Sequence, residues 1–114
     1  MLLVTTMTIT VSRNDNKQDF TCNAKEDKKK GKDLLKEKIT LSVNFLPETV
    51  DIKQPEKLVE DQEANFTCTS KPSNPEVDIV WHYNDEILPA GGSSTKPEKK
   101  FGGFITTSFL VMKL

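Results

Sequence analysis

The chain has 114 residues, enough for one domain of ordinary size or for parts of two smaller ones. Charged residues make up 29% of the chain, but the net charge is only −1, so no strong field recruits nucleic acid or an anionic membrane. Hydrophobic residues, at 35%, suffice for a thin core. No stretch of the sequence reaches the roughly 18 consecutive apolar residues of a membrane span.

The first ten residues, MLLVTTMTIT, read as a strand and not as a secretory signal. They contain no early Lys or Arg, and threonines interrupt the apolar stretch from Thr5 onward. From Met7 the apolar side chains of Met7, Ile9 and Val11 alternate with Thr and Ser, which predicts a half-buried strand over residues 3–12. The chain is therefore expected to contain neither a signal peptide nor a transmembrane segment.

A polar turn and a second strand follow. The turn is RNDNKQ at 13–18, and the strand is DFTCNA at 19–24, in which Phe20, Cys22 and Ala24 alternate with polar residues. These three side chains are expected to share the buried face of the strand.

The next segment, KEDKKKGKDLLKEK at 25–38, is rich in lysine but carries interspersed acids. The acids favour a solvated hairpin loop over a heparin-like or phosphate-binding patch, and a short helix over 33–38 is the other alternative. Period-two alternation returns in ITLSVNF at 39–45, which predicts a strand. Pro47 then stiffens a short junction to the second half of the chain.

The first strand of the second half lies in LVEDQEANFTCTS at 58–70, where Phe66 and Cys68 share a face with Ala64. It ends in KPSNPE at 71–76, a turn dense in Pro, Ser and Asn.

Three further segments complete the chain. VDIVWHY at 77–83 predicts a strand, and residues 87–88 predict a brief second one. The glycine-rich stretch 89–103 predicts a long loop, and residues 104–114 predict the last strand. The side chains expected to face inward from the first of these strands are those of Val77, Ile79, Trp81 and Tyr83.

The segment ANFTCTSKPSNPEVDIVWHYND, with Cys68 and Trp81 separated by a Pro/Asn turn, resembles strands B and C of the immunoglobulin superfamily. In that fold a Trp on strand C packs over the disulfide between the sheets. GGFITTSFLVMKL likewise resembles strand E, with Leu110 and Met112 inward. The resemblance implies that Trp81, Phe66 and Leu110 are core residues of this half of the chain, and that Phe20 is a core residue of the other half.

The segment around the first cysteine, Cys22, resembles a different part of the same fold, the corner before strand F. In the family this corner normally reads Asp-x-Gly-x-Tyr-x-Cys, whereas this chain has Asn16-x-Gln18-x-Phe20-x-Cys22. Phe20 keeps the ring but lacks the hydroxyl, so the tyrosine-corner hydrogen bond is lost. The resemblance makes Cys22 a strand F cysteine, followed by strand G in residues 39–45.

These assignments imply an all-β, immunoglobulin-like β-sandwich that consists of two incomplete tandem domains. Residues 1–46 would be the C-terminal part of one domain (strands E-F-G), and residues 47–114 the N-terminal part of a second (strands A to E). Cys22 and Cys68 would then form disulfides with partners outside this chain.

Two other arrangements, both of which pair Cys22 with Cys68, stay open on the sequence. Cys22 and Cys68 could be the B and F cysteines of one domain, although no Trp lies between them and the charged run 25–38 is a poor strand C. They could also meet in a permuted domain, although the short LPET junction opposes the required return of the chain.

Asn65-Phe66-Thr67 is an N-glycosylation sequon with a non-proline middle residue. Since Phe66 and Cys68 are expected to point inward, Asn65 and Thr67 are expected to point outward. Asn65 is therefore the candidate glycosylation site.

Nothing in the sequence predicts an enzyme. His82 is the only histidine and is expected at the surface, and Ser93, Asp85 and His82 lack the surroundings of a catalytic triad. The glycines lack phosphate-loop spacing. We therefore expect no catalytic residues, no metal site and no cofactor.

Among immunoglobulin proteins, the corner residues of this chain resemble those of nephrin-like and nectin-like adhesion receptors. The resemblance implies recognition of another cell-surface protein, homophilic or heterophilic, by a membrane-anchored full-length protein at the extracellular side of the cell membrane. It implies no binding of nucleic acid. The alternative is an intracellular, titin-like structural array, in which the cysteines would stay reduced.

Overall fold

The computed structural model describes residues 4–25 and 33–114, which form an all-β structure with a single short helical turn. Contacts divide the chain into two compact units, Met1–Val43 and Asn44–Leu114, which are treated separately below. In the part of the chain that the structure describes, no helix has the length and apolarity needed to cross a membrane. The elements are the 3-10 helix Arg13–Asp15 and the strands β1 (Asp19–Lys25), β2 (Asp33–Thr40), β3 (Val50–Lys53), β4 (Glu63–Ser70), β5 (Trp81–Tyr83), β6 (Glu86–Leu88), β7 (Gly92–Pro97) and β8 (Phe104–Lys113).

The first unit contains an antiparallel hairpin of β1 and β2. The strand predicted at 19–24 is confirmed. The loop or short helix predicted over 33–38 is wrong, because these residues form β2, which extends to Thr40. Residues 26–32 of the charged run lie outside the described residues. Lys and Glu side chains are tolerated in β2 because its described side chains, from residue 35 to 40, are exposed.

The strand predicted over 3–12 is wrong as well. Residues 4–12 belong to no ladder, and the side chains of Val4 and Met7 are 76% and 69% exposed. Alternation describes how a strand presents its side chains, but a strand also needs a neighbour to take its backbone hydrogen bonds. Residues 1–3 lie outside the described residues.

The corner at 12–18 is held by local hydrogen bonds. Ser12 caps the 3-10 helix through a capping box with Asp15. Asn16 is buried, and its Oδ1 accepts a hydrogen bond from the Val43 N–H at 2.9 Å. Lys17, with φ of 65°, occupies the left-handed region, and its N–H donates to the Leu41 carbonyl at 2.8 Å. The corner therefore fixes residues 41–43 beside the start of β1.

The second unit contains two antiparallel sheets. The four-stranded sheet has the order β3-β4-β8-β7, and β5 pairs with β6 in a two-stranded sheet. This order matches strands A-B-E-D of an immunoglobulin sheet, and the β5–β6 pair matches the C and C′ strands of the facing layer. The immunoglobulin-like fold expected from the sequence is thus present in residues 44–114.

Two predicted elements of this unit need correction. The strand expected over 77–83 is shorter, because only Trp81–Tyr83 pairs with a neighbour. The loop expected over 89–103 contains β7, an edge strand paired with β8 from Gly92↔Phe109 to Pro97↔Phe104. All six residues of β7 are exposed, so no hydrophobic alternation marks it in the sequence.

The core of the second unit is centred on Cys68, Trp81 and Leu110, which are 8%, 8% and 6% exposed. The partly buried side chains packed against it are those of Phe66, Ile79 and Leu88. These residues come from β4, β8 and the segment of β5 and β6, so the core lies between the two sheets and holds them together.

A hydrogen bond crosses this core. The Trp81 Nε1–H donates to Ser108 Oγ at 2.9 Å, and Ser108 is 1% exposed. On the same sheet the Thr106 N–H donates to Ser70 Oγ at 3.1 Å. The inner face of the four-stranded sheet is therefore partly lined by hydroxyl groups whose hydrogen bonds are made inside the protein.

The turn between β7 and β8 is organised by Glu98. Its carboxylate accepts hydrogen bonds from the N–H groups of Lys100 at 2.8 Å, Phe101 at 2.8 Å and Gly103 at 3.2 Å. Burial raises the pKa of the Glu98 carboxyl, but these three bonds and the charge of Lys100 outweigh it, so the pKa lies below its ordinary value.

Gly103 lies where three segments meet. A Cβ at this position would lie 2.6 Å from the Ser73 carbonyl oxygen and 2.8 Å from Cζ of Phe45. Ser73 is fully buried and exchanges two backbone hydrogen bonds with Phe104, at 2.8 and 3.0 Å. The backbone therefore has no room to yield at this point.

We expect Gly103→Ala to lower the free energy of unfolding by about 1–3 kcal/mol, because the added methyl overlaps a fixed carbonyl. Gly92→Ala is the matched control: a Cβ there meets nothing within 4 Å. Urea unfolding followed by the fluorescence of Trp81, the only Trp of the chain, measures both. Equal midpoints for the two variants would contradict the packing described at Gly103.

Ser108→Ala leaves the buried Trp81 N–H without its acceptor, which costs about 1–3 kcal/mol of stability. In a background of Trp81→Phe, which has no N–H to satisfy, the same change should cost much less. Urea unfolding followed by far-UV circular dichroism of the four proteins gives the coupling energy. A coupling near zero would show that the hydrogen bond contributes nothing to stability.

Candidate recognition surfaces

The two cysteines lie in different units and different environments. Cys68, on β4, is buried beside Trp81, whereas Cys22, on β1, is exposed, and within the described residues neither is bonded to another cysteine. Burial, with a smaller effect from the charge of Asp51, raises the pKa of the Cys68 thiol. Its thiolate, the reactive form, is correspondingly scarce near neutral pH.

Phe20 also lies in the first unit, where it is half-buried on β1 opposite Ile39. The cluster around Trp81 therefore contains Phe66 and Leu110 of the expected core residues, but Phe20 belongs to the other unit. Ser108 was missed by sequence reasoning. The one available signal was its position two residues before Leu110 on the inward-facing side of β8.

One exposed surface lies on the outer face of the four-stranded sheet. Asn65 on β4 is exposed and stands directly opposite Val111 on β8, and Thr67 stands opposite Phe109. Val111 and Phe109 are 53% and 46% exposed. The sequon residues and an apolar pair thus occupy neighbouring positions of one sheet face; we call these four residues the sequon face.

A second exposed surface lies on the two-stranded sheet. His82 of β5 stands opposite Ile87 of β6, and Ile87 is 70% exposed. Val80, directly before β5, is 56% exposed. His82 is exposed, where the alternation with Trp81 predicts it. We call Val80, His82 and Ile87 the hairpin surface.

A shallow groove of about 150 Å³ opens between the two sheets. Apart from His82 its lining is apolar or aromatic: Ile52, Phe66, Trp81, Tyr83, Leu88, Leu110 and Met112. Ile52 stands opposite Cys68 and so faces the inner layer, yet it is 65% exposed. The two strands β5 and β6 thus leave part of the inner face of the four-stranded sheet uncovered.

The described residues do not gather the groups that metal binding needs. Among them, no cluster of three or more His, Cys, Asp or Glu side chains could hold an ion. Ser93 lies on β7 in the four-stranded sheet, whereas His82 lies on β5 in the other sheet. The histidine and the serine considered for a triad are therefore in different layers of the second unit.

Comparison with known proteins agrees with this architecture. The family model of the CD80-like C2-set immunoglobulin domain matches residues 48–114, which is more than half of the chain. A search of curated proteins finds no match.

Among solved structures, the chain is similar to bovine butyrophilin, with a TM-score of 0.53 and 22% sequence identity. The match covers 83% of this chain and 42% of the butyrophilin chain, so the chain spans less than half of that structure. At this identity the likeness shows the fold alone. With the Cys68–Trp81 core, the sheet order and the family match together, the chain belongs to the CD80-like C2-set immunoglobulin domain family.

Proposed function

We propose that this chain is a non-catalytic recognition module from the extracellular region of a cell-surface protein, and that it acts by binding another protein. The observation that carries the proposal is the hairpin surface, where Val80 and Ile87 are 56% and 70% exposed on a domain whose core is already formed. Exposed apolar side chains held on a rigid sheet, with a polar neighbour such as His82, are typical of protein-binding sites.

The hairpin surface is anchored to the core through Trp81. Trp81 lies between Val80 and His82 in the sequence and is buried against Cys68 and Leu110. Since neighbouring residues of a strand face opposite sides, burial of Trp81 fixes the outward direction of His82. A preorganised surface of this kind loses little conformational entropy when it binds.

We also propose that residues 1–46 are the C-terminal part (strands E-F-G) of one immunoglobulin domain and residues 47–114 the A to E part of the next. In the first part β1 and β2 are strands F and G, and residues 4–12, which form no ladder here, would become strand E only beside a strand from outside this chain. The β1–β2 hairpin supports the first assignment, because it is amphipathic. One face pairs Phe20 with Ile39 and Ala24 with Leu35, and Leu35 and Ile39 are 72% and 60% exposed. Such a face fits a strand pair that covers a core.

The opposite face of this hairpin is polar, with its pairs drawn from Asp, Thr, Asn and Lys side chains. Glu37 is the exception on the apolar face, opposite Cys22. In the second unit the uncovered groove beside Ile52 and Tyr83 supports the complementary assignment, because further strands beside β5 would close it.

The adhesive function is tested with the full-length protein displayed on suspended cells. We expect these cells to bind cells that carry either the same protein or a protein partner. Ile87→Asp should reduce binding about thirtyfold or more, since truncation or charging of a central contact costs about 2 kcal/mol or more. Leu58→Asp is the matched control, because Leu58 is also exposed, at 51%, but lies between β3 and β4.

Both variants must reach the cell surface at the level of the unchanged protein. Equal binding by the Ile87→Asp and Leu58→Asp variants would show that the hairpin surface does not bind the partner. Cells that show no binding to any cell type would contradict the adhesive role itself.

The state of the cysteines separates the extracellular proposal from an intracellular structural array. In the full-length protein unfolded without reductant, we expect Cys22 and Cys68 to resist maleimide labelling, because each is bonded to a cysteine outside this chain. Labelling after reduction provides the control. Free thiols at both positions, measured by mass spectrometry, would favour the intracellular array.

A further inference from the structure

We propose that an N-linked glycan on Asn65 lies across Phe109 and Val111 and thereby covers the outer face of the four-stranded sheet. This inference rests on the proposed extracellular location, because the sugar is added in the secretory pathway. It concerns the sequon face and not the hairpin surface, so the two sheets would have different roles.

The sheet register places the attachment point next to the apolar pair. Asn65 is directly opposite Val111, and Phe109 is its diagonal neighbour two residues along β8. Directly opposed residues have Cβ atoms about 4.5–5.5 Å apart, and diagonal neighbours stay within reach of long side chains. A sugar attached to the Asn65 side chain therefore begins beside both apolar side chains.

The far side of the apolar pair is open. Phe109 stands opposite Gly92 on β7, and a Cβ at Gly92 would meet nothing within 4 Å. Gly91, which precedes Gly92, donates its N–H to the Phe109 carbonyl at 2.7 Å. The two glycines provide no side chain to shield Phe109 or Val111 from solvent.

The surroundings favour a sugar over a protein as the occupant of this face. Thr67, opposite Phe109 on β8, belongs to the sequon. On its other side Thr67 stands opposite Lys53 of the edge strand β3. A protein approaching Phe109 would have to displace any glycan attached one strand away. A pyranose ring offers an apolar C–H face that can stack on an aromatic ring, with hydroxyl groups left for water.

Attachment follows the chemistry of the sequon. The Asn65 Nδ2 forms a bond to the anomeric carbon of a lipid-linked oligosaccharide diphosphate and loses one proton. The bond from that carbon to the diphosphate oxygen breaks, and the lipid diphosphate leaves. The exposed position of Asn65 on β4 gives the completed glycan access to solvent.

The test uses the full-length protein secreted from, or displayed on, glycosylating cells. Mass spectrometry of the peptide that contains Asn65 measures occupancy, and Asn65→Gln provides the unglycosylated form. Hydroxyl-radical labelling then reports the exposure of Phe109 and Val111. We expect several-fold less labelling of both residues in the glycosylated protein, and intermediate labelling after an endoglycosidase trims the glycan to its first sugar.

Thermal unfolding provides a second readout through Phe109→Thr, which removes the ring from an exposed position. Loss of the glycan should lower the Tm by about 3 °C or more when Phe109 is present, and by about 1 °C or less when it is replaced. Equal shifts in both backgrounds, or unchanged labelling of Phe109, would overturn the packing.

Two further outcomes would also overturn the inference. If mass spectrometry finds no glycan on Asn65, the inference fails. Cell binding by the Ile87→Asp variant would still test the proposed function separately. Loss of cell binding on Phe109→Thr, as large as that on Ile87→Asp, would place a protein partner on the sequon face.

Discussion

The burial of Trp81 is the interaction on which the second unit depends. Strands β5 and β6 contain three residues each, and the ladder within the two-stranded sheet joins them only to one another. Trp81 is the buried residue of these two strands; it packs on Cys68 and Leu110 and donates a hydrogen bond to Ser108. The position of the hairpin relative to the four-stranded sheet therefore depends mainly on this large side chain and its hydrogen bond, with Ile79 and Leu88 packed against the same core.

The sequence predicted this centre because its signals are local. Cys68 and Trp81 each lie in a short alternating run, and a dense turn separates them. Strand β7 was missed because its residues show no alternation; it is a strand only because β8 pairs with it. The charged β2 was missed for the same reason, since β1 supplies its ladder. Residues 4–12 show the converse, with alternation but no partner strand.

The buried hydroxyl groups on the inner face of the four-stranded sheet could not be predicted from the sequence either, because they too depend on partners distant in the chain. Ser70, Thr106 and Ser108 are all at most 3% exposed, positions where hydrophobic alternation would expect apolar side chains. Ser70 and Ser108 accept hydrogen bonds from Thr106 and Trp81, which are distant in sequence. Within the described residues, no buried side-chain nitrogen or oxygen lacks a partner. A small polar residue is stable in such a core only when a distant donor reaches it, and that condition is tertiary.

The same alternation that builds the core also sets which side chains are available for recognition. A slip of one residue in β5 would exchange Trp81 with a neighbour, so it would expose the indole and bury His82 without a partner. The core therefore permits substitutions at Val80, His82 and Ile87 of the hairpin surface, but it does not permit a shift of the strand register that places these residues outward. On the other sheet, Asn65 and Phe109 face outward by the same rule, since Phe66 and Leu110 must face inward. The core thus constrains the positions of both surfaces while leaving their chemistry to vary.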